Sequence, residues 1–213
     1  MNEEFVENSL LSFKNYYDFI NFYKKMDIYK KWRISSGTMN SRGESVRGKE
    51  YSLELINLFK EKNMFRRKVS IAEIVSWLDS FKIIDQLFVE LEKNLSRDDF
   101  RQISIYSEYV IKMSKKMRID YILKYRDKLL IIELRMVSSF EKIKPTWEKK
   151  KLELIIYKDL LTNYVSSEWT IINYALIILP EYDIHKKNHK HIDYNINQIN
   201  YLKRYIIDFL IIE

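Results

Sequence analysis

The sequence contains no cysteine and little glycine or proline, with three and two residues respectively among 213. Without cysteine the chain cannot form disulfides, iron–sulfur clusters or cysteine-ligated zinc sites, and it is compatible with a reducing cytosol. The scarcity of turn-forming residues argues against a turn-rich β-sandwich and favours long helices with a few strands. These absences predict a cytoplasmic α/β protein.

Long apolar segments are also missing from the chain. The longest apolar run, around residues 175–179, has the length of a strand and not of a membrane helix. The N-terminal residues MNEEFVENSLLSF begin acidic and lack the basic segment and apolar core of a signal peptide. We therefore expect no membrane partner.

Basic residues exceed acidic ones, with 37 Lys and Arg against 30 Asp and Glu and a formal net charge of +7. A positive charge favours an anionic partner, such as nucleic acid or an anionic membrane surface. A solvated basic surface explains the charge equally well. The composition is 46% hydrophobic and 15% aromatic, which is sufficient for a core in a chain of this length.

Apolar spacing and capping signals predict the order of the elements. Residues 1–40 form an N-terminal helical extension, and residues 41–213 form the main domain with a helical insertion at about 66–101. Helices are expected where Ser41 with Glu44, and Ser70 with Glu73, have the spacing of capping boxes. The remaining predicted elements are strands at 103–111, 118–125 and 129–137, a helix from Pro145 to 164, a strand at 170–179 and a helix at 195–211.

Two acidic residues, Asp120 and Glu133, lie in the second and third strands of this predicted meander. A carboxylate directly after the apolar run 129–132 is unusual, because a buried charge is costly unless it is paired or bound to a cation. Carboxylates on paired strands can share one divalent ion, and their oxygen atoms suit magnesium or manganese. Exposed ion pairs with Arg118 and Arg135, two residues away on the same strand face, are the alternative.

This order of elements resembles the PD-(D/E)XK nuclease superfamily. The residues that carry the resemblance are Arg-Ile-Asp at 118–120 and Ile-Ile-Glu-Leu-Arg at 131–135. In the following helix, Glu153-Leu-Ile-Ile-Tyr157 is similar to the Gln-x-x-x-Tyr signature of RecB-like nucleases, with Glu where Gln is usual. The resemblance covers about residues 41–180 and implies a restriction-endonuclease-like α/β fold, in which helices flank a mixed sheet.

The resemblance also implies a metal site that holds Mg²⁺ or Mn²⁺. Asp120 and Glu133 would be the carboxylate ligands, and the backbone carbonyl of Leu134 would supply a third oxygen. Glu44, placed by its spacing on the core-facing side of the upstream helix, would complete the site. A metal held in this way lowers the pKa of a bound water and offsets negative charge on a phosphate.

Other roles in this family fall on basic and phenolic residues. Arg135 stands where the family has a lysine that orients the attacking water and contacts the phosphate. Arginine is always protonated, so it can stabilise charge but cannot act as a base. Lys150 or Lys151 in the next helix would take over the role of that lysine, and Tyr157 would orient a metal ligand or a phosphate.

Further basic residues are candidate contacts with nucleic acid. Arg66 and Arg67 precede the Ser70 helix, and basic side chains beside a helix N-terminus suit a phosphate. Lys150 and Lys151 are candidates on the helix after the meander. A solvated basic loop is the alternative for the arginine pair.

Three histidines, His185, His189 and His191, cluster near the C-terminus. Their spacing permits a shared zinc ion, but no carboxylate or cysteine pattern completes a motif. A solvated loop, or a loop that contacts a phosphate backbone, is the interpretation that we prefer.

The expected function is hydrolysis of phosphodiester bonds, in DNA rather than RNA, for defence against phage or mobile elements, restriction or repair. An inactive member of the superfamily that binds nucleic acid or a partner protein is the alternative, favoured by Arg135 in place of lysine. A third interpretation is an unrelated α+β interaction protein. The aromatic N-terminal helix would suit a homodimer interface.

Overall fold

The computed structural model describes residues 3–26, 31–62, 68–111, 117–165 and 169–212. The helices are α1 (Glu3–Asn8), α2 (Tyr16–Lys25), α3 (Met39–Glu44), α4 (Glu50–Lys62), α5 (Ile71–Glu92), α6 (Arg97–Gln102), α7 (Ile143–Thr162) and α8 (His189–Tyr205). The strands are β1 (Leu11–Phe13), β2 (Ser104–Val110), β3 (Arg118–Tyr125), β4 (Lys128–Met136), β5 (Thr170–Ile178), β6 (Tyr182–Asp183) and β7 (Lys186–Lys187). A 3₁₀ turn (Phe140–Lys142) precedes α7, and a π-helical turn (Ile206–Ile212) follows α8.

Strands β1 to β5 form one mixed sheet in sequence order. Neighbours from β1 to β4 are antiparallel, and β5 lies parallel to β4 after the chain crosses over through α7. Because β4 is internal and covered on both faces, its residues 129–132 are all apolar and fully buried. The structure therefore confirms the mixed α/β architecture, with the meander and the crossover helix in the predicted order.

Helices cover both faces of the sheet. One apolar cluster joins α2, α4, α5 and α8 to the sheet, and α5 is buried around most of its circumference. A second cluster joins α1 and α7 to the opposite face through Phe5, Leu154 and Leu161. The long helix predicted from Ser70 is thus the main packing element of its face and not an insertion. None of the described helices is long and apolar enough to cross a membrane.

Local signals located several element ends correctly. Ser70 and Glu73 form the predicted capping box, and β3 spans the predicted residues. Helix α8 begins six residues earlier than predicted, because the Asn188 side chain accepts a hydrogen bond from the His191 backbone N–H and caps the helix there. The predicted polar loop therefore ends in a helix.

The N-terminal segment belongs to the main core. It contains the two helices α1 and α2, but between them β1 pairs with β2 and adds an edge strand to the sheet. Phe19 and Tyr23 of α2 are fully buried in the larger cluster. The prediction of a purely helical extension is wrong, because a three-residue strand is too short to show alternation in the sequence.

The prediction that Glu44 faces the core is also wrong. Thr38, not Ser41, caps the short helix α3, and the next helix starts only at Glu50. Glu44 ends α3 with its side chain 63% exposed, and it pairs with Arg47 at 3.2 Å. The core-facing position predicted for Glu44 requires one helix that continues from Ser41 through the following apolar residues. The chain instead leaves the helix after Glu44 and starts a new one at Glu50, so that spacing argument does not hold.

Two glycines have different roles at this break between α3 and α4. Gly48 has a φ of +68° with nothing within 4 Å of a Cβ at that position, so it permits a turn and not a close approach. The close approach is at Gly43, where a Cβ would lie 2.5 Å from Ile71 Cγ2. Gly43 therefore allows α3 to pack against the start of α5.

This contact buries a charged pair beside the sheet. Nη2 of Arg42 on α3 lies 2.5 Å from Oδ1 of Asp79 on α5, and the two side chains are only 2% and 4% exposed. The Trp32 indole N–H also donates to Asp79, at 2.9 Å. Arg42 is the positive charge that compensates the buried Asp79 carboxylate, so removal of the arginine leaves this carboxylate without its ion pair.

We expect Arg42→Met to lower the free energy of unfolding by about 3–5 kcal/mol, because the Asp79 carboxylate stays buried. The matched change Arg47→Met removes only the exposed pair with Glu44 and is expected to cost no more than about 1 kcal/mol. Urea unfolding followed by circular dichroism measures both values. Equal losses for the two variants would contradict this interpretation.

Candidate active site

Asp120 and Glu133 meet at the point where β3 and β4 stop pairing. The last paired residues at this end are Tyr121 and Ile132, and the two acidic residues come directly beyond them. The Asp120 backbone N–H donates to Glu133 Oε1 at 3.1 Å, and the Leu134 N–H donates to Asp120 Oδ2 at 2.9 Å. Each carboxylate therefore replaces a backbone acceptor of the ladder, and the two groups are neighbours.

Lys150 approaches this pair from α7. Its Nζ donates to Glu133 Oε2 at 2.7 Å and to Glu153 Oε2 at 2.7 Å. The lysine side chain is 18% exposed, whereas Glu133 is fully buried. Of the two lysines named from the sequence, Lys150 is thus the one that reaches the carboxylates. Lys151 is exposed and lies over the Trp147 ring at 5.3 Å.

Arg135 lies at the exposed end of β4. It is two residues from Glu133 and therefore on the same side of the strand. Burial raises the pKa of Asp120 overall, and the charge of the exposed Arg135 side chain is one of the smaller effects that oppose this rise. Arg135 is thus close enough to influence the site without the buried contact that Lys150 makes.

Tyr157 and Glu153 extend the site along α7. Glu153 follows Lys150 by three residues and Tyr157 follows Glu153 by four, so all three share one face of the helix. Burial, followed by the charge of Glu133, raises the pKa of Tyr157 to about 12. The phenol therefore keeps its proton at neutral pH and can donate a hydrogen bond.

A second charged group adjoins the carboxylates on the α5 side. Arg118 lies at the start of β3. Its Nε is 2.5 Å from Glu108 Oε2, and its Nη1 donates to Glu73 Oε1 at 3.0 Å. Glu73 also accepts from the Ser70 backbone N–H in the capping box of α5. The acidic residue that reaches this end of the sheet from an upstream helix is therefore Glu73 of α5, not Glu44 of α3.

The strands are irregular where these side chains converge. Glu108 has a φ of 54°, which is unusual for a residue other than glycine. Tyr106 and Tyr109 pack in the same cluster, as do Ile119 and Ile122, although residues three apart on a regular strand face opposite sides. The alternation is thus interrupted at Glu108 in β2 and at the facing position in β3, where Asp120 lies.

Negative charge exceeds positive charge in this region. The acidic side chains are Glu73, Glu108, Asp120, Glu133 and Glu153, and the basic side chains in contact with them are Arg118 and Lys150. Burial, followed by the charge of Asp120, raises the pKa of Glu133 to about 8 even though Lys150 lowers it. Burial likewise raises the pKa of Glu108 to about 8 against the effect of Arg118. The uncompensated negative charge therefore favours the binding of a proton or another cation at this site.

The same charges keep Lys150 protonated. Burial alone would lower the pKa of Lys150. The negative charge of Glu133, together with the hydrogen bonds from Lys150 to Glu133 and Glu153, raises that pKa above the ordinary value. Lys150 is consequently a hydrogen-bond donor and a positive charge at neutral pH, and not a base.

The donor set at the end of β4 fits a hard divalent cation. Within the described ranges, no three His, Cys, Asp or Glu side chains lie close enough together to hold a metal ion. Asp120 and Glu133 supply two carboxylates, and a third protein oxygen would come from the backbone. The Leu134 N–H points to Asp120, and in a strand the carbonyl of a residue points to the same side as its N–H. These oxygen donors suit Mg²⁺ or Mn²⁺.

The other residues named from the sequence lie elsewhere. Arg66 and Arg67 fall outside the described residues. His191 is bonded to the Pro180 carbonyl at 2.8 Å, and no described histidine belongs to a metal-binding group.

Sequence reasoning missed Glu108 and the second role of Glu73. Glu108 lies in the apolar and aromatic strand SIYSEYV, and a charged residue in a buried strand is a detectable signal. Glu73 is identifiable from the sequence only as part of a capping box, because its partner Arg118 is 45 residues away. The exposed-pair interpretation does not describe these carboxylates, since Glu133 is buried and bound to Lys150.

No family model, curated protein or solved structure matches this chain. The chemistry of the site is therefore inferred from its own geometry and charge. The site consists of two adjoining carboxylates, a lysine between two glutamates, and a partly buried arginine that joins two further glutamates.

The raised pKa of Glu133 predicts a pH dependence of stability. Its stabilising contribution is present below the unfolded pKa near 4.5 and is lost as the pH rises towards about 8. Glu133→Gln cannot ionise, so we expect it to match the wild type near pH 5 and to exceed it by a few kcal/mol near pH 9, in EDTA. Urea unfolding across this range measures the difference, with exposed Glu44→Gln as the control. Parallel curves for Glu133→Gln and the wild type would contradict the assignment.

Proposed function

We propose that this protein is a divalent-metal-dependent nuclease of the PD-(D/E)XK type that hydrolyses phosphodiester bonds in DNA. The observation that carries the proposal is the contact of Lys150 with Glu133, beside Asp120, at the open end of paired strands. Adjoining carboxylates with a lysine are the elements that such a reaction requires. Defence, restriction and repair are the settings in which the activity would serve.

The arrangement of the elements supports the proposal. Helix α5, the meander β2–β4, the crossover helix α7 and the parallel strand β5 follow one another in the order that the resemblance implies. The carboxylates lie in the second and third meander strands, and the lysine lies on the crossover helix. A restriction-endonuclease-like core is the fold that we propose for residues 71–178.

Asp120, Glu133 and the Leu134 carbonyl would hold Mg²⁺ or Mn²⁺. When bound, the ion supplies a water of lowered pKa and a positive charge next to the phosphate. The carboxylates orient one another through their backbone hydrogen bonds, so the donors are positioned before any ligand arrives.

Lys150 stabilises the negative charge that develops on the phosphate oxygens. Its raised pKa keeps it protonated, so it serves as a charge and a donor and not as a proton acceptor. Arg135, exposed at the end of β4, is placed to contact an adjacent phosphate of the same strand. Tyr157 retains its proton and donates to a phosphate or to a carboxylate.

One observation favours a second candidate function. Lys150 is held by Glu133 and Glu153 together, and the Glu-x-Lys spacing of the superfamily has arginine at position 135. A lysine committed to two carboxylates is less available to a substrate. The second candidate is therefore a catalytically inactive protein of the same fold that binds nucleic acid or a partner protein.

The carboxylate variants test the nuclease proposal. We expect the wild type to cut supercoiled plasmid with Mg²⁺ or Mn²⁺ but not with EDTA, and Asp120→Asn and Glu133→Gln each to lose activity by about 10²-fold or more. Gel electrophoresis of plasmid, single-stranded DNA and RNA measures cleavage. Salt-sensitive binding without cleavage in any metal would support the inactive alternative.

The role of Lys150 is tested separately. Lys150→Met removes the charge beside Glu133, and we expect cleavage to fall by about 10²-fold while DNA binding changes little. Lys149→Met is the matched control, because Lys149 is the neighbouring lysine of α7 and is exposed. If Lys150→Met retains full cleavage and Arg135→Met does not, the lysine role belongs to Arg135.

A further inference from the structure

A strained hairpin projects from the chain between the main sheet and α8. Strands β6 and β7 pair across the two-residue turn formed by Ile184 and His185. These turn residues have φ values of 43° and 67°. Turns with two positive φ values favour asparagine and glycine, and a β-branched residue is strained there. The surrounding structure must hold this turn in place.

Several hydrogen bonds anchor the base of the hairpin. The Ser36 backbone N–H donates to the Tyr182 carbonyl at 2.7 Å, and the Ser36 hydroxyl donates to Asp183 at 2.8 Å. The Asn188 N–H donates to the Glu181 carbonyl at 2.8 Å on the other side. The hairpin is therefore fixed to the domain at both ends.

Positive charge is concentrated along one side of this hairpin and in the first turn of α8. Lys186, Lys187 and Lys190 line a groove of about 560 Å³ together with His189 and Asp183. Among the described residues that line it, Asp183 is the acidic one, and its carboxylate is bonded to Ser36. No ion pair between described residues involves these three lysines, so their charges are available to a partner.

The tip of the hairpin is apolar. Ile184 is 85% exposed, the largest exposure among the large hydrophobic side chains that the structure describes. It combines strain with exposure and so contributes little to the stability of this chain. Both features are compatible with a contact to another molecule.

This basic surface lies at the same end of the sheet as the carboxylates. Strand β5 ends beside the end of β4, where Met136 pairs with Ile178, and the hairpin follows within a few residues. Glu133 precedes Met136 by three residues, which is about 10 Å along a strand. The ring of Phe140, just before α7, lies 5.3 Å from the His191 ring in α8. The start of α8 therefore adjoins the chain that leads to Lys150.

We propose that the β6–β7 hairpin and the first turn of α8 are a contact surface for the backbone of duplex DNA. Lys186, Lys187 and Lys190 contact phosphates, and Ile184 contacts the groove between them. The inference depends on the proposed function, because nucleic acid is the anionic substrate of that reaction. The surface positions the duplex beside the carboxylates and takes no part in bond cleavage.

The salt dependence of binding tests the lysines. The Kd of the full-length protein for a short fluorescein-labelled DNA duplex is measured by anisotropy in EDTA at a series of salt concentrations. We expect the triple variant Lys186→Ala, Lys187→Ala, Lys190→Ala to bind more weakly, with a log–log salt slope smaller by about one for each lysine. An unchanged slope would overturn the proposal.

A control variant removes the same charge from the other end of the sheet. Arg97 and Arg101 lie in α6, directly before β2, and the Lys14 carbonyl accepts from Ser104 at the start of β2. The triple variant Lys14→Ala, Arg97→Ala, Arg101→Ala should keep the wild-type slope. An equal fall in both triple variants would show that net charge alone is responsible and would overturn the assignment of the hairpin.

Ile184→Asn tests the tip independently of charge. Asparagine tolerates a positive φ, so the turn is kept and the protein should be no less stable. We expect several-fold weaker binding with an unchanged salt slope, because the lost contact is apolar. Unchanged affinity would overturn the contact assigned to the tip.

The two proposals fail in different ways. If the wild type cuts plasmid and the hairpin variant keeps its slope, the nuclease proposal stands and the contact surface is wrong. If the wild type never cuts DNA but the triple lysine variant binds it with a smaller salt slope, the contact surface stands without nuclease activity. If the lysines matter only for binding to phosphatidylserine vesicles, the surface contacts membranes and the DNA assignment is wrong.

Discussion

The burial of Glu133 beside Asp120 is the constraint on which the architecture of this end of the sheet depends. A carboxylate at the end of a fully buried strand is costly, and a second carboxylate next to it increases the cost. The protein offsets this with a backbone N–H from each strand and with Lys150 from the crossover helix. The position of α7 against β4 and β5 is therefore set by charge as well as by Leu154 and Leu161.

The charge network extends across the sheet to α5. Glu73 both caps that helix and accepts from Arg118, which also holds Glu108. A helix start and a strained strand residue are consequently joined by one arginine, which lies two residues before Asp120. This coupling links the apolar core, which positions α5, to the chemistry at the end of β3.

The remaining excess of carboxylates gives the site its chemical character. A buried group of this kind takes up either protons or a cation, and oxygen donors select a hard one. In the proposed function, such a cation would lie at this open strand end, where a phosphate can approach. The basic hairpin near the same edge would then bring the backbone of the substrate within reach, so the two proposals place binding and cleavage on different elements.

Much of the fold follows from patterns within short stretches of sequence. The capping box at Ser70, the run 129–132 and the alternation of β3 each involve residues close together in the chain, so their elements are predictable. The proximity of Asp120 and Glu133 is predictable for the same reason, because a short turn connects their strands. Where a local signal is ambiguous, as at Ser41, the predicted cap is wrong and so is the core-facing position predicted for Glu44.

Contacts between distant residues needed the tertiary structure. The family resemblance implied a basic residue near Glu133, but only the packing of α7 showed that Lys150, and not Lys151, contacts this carboxylate. Only the fold placed Glu73 and Glu108 on Arg118, and only the fold added β1 to the sheet. The physical reason is that periodicity and capping act over a few residues, whereas the neighbours of a buried charge are set by how whole elements pack.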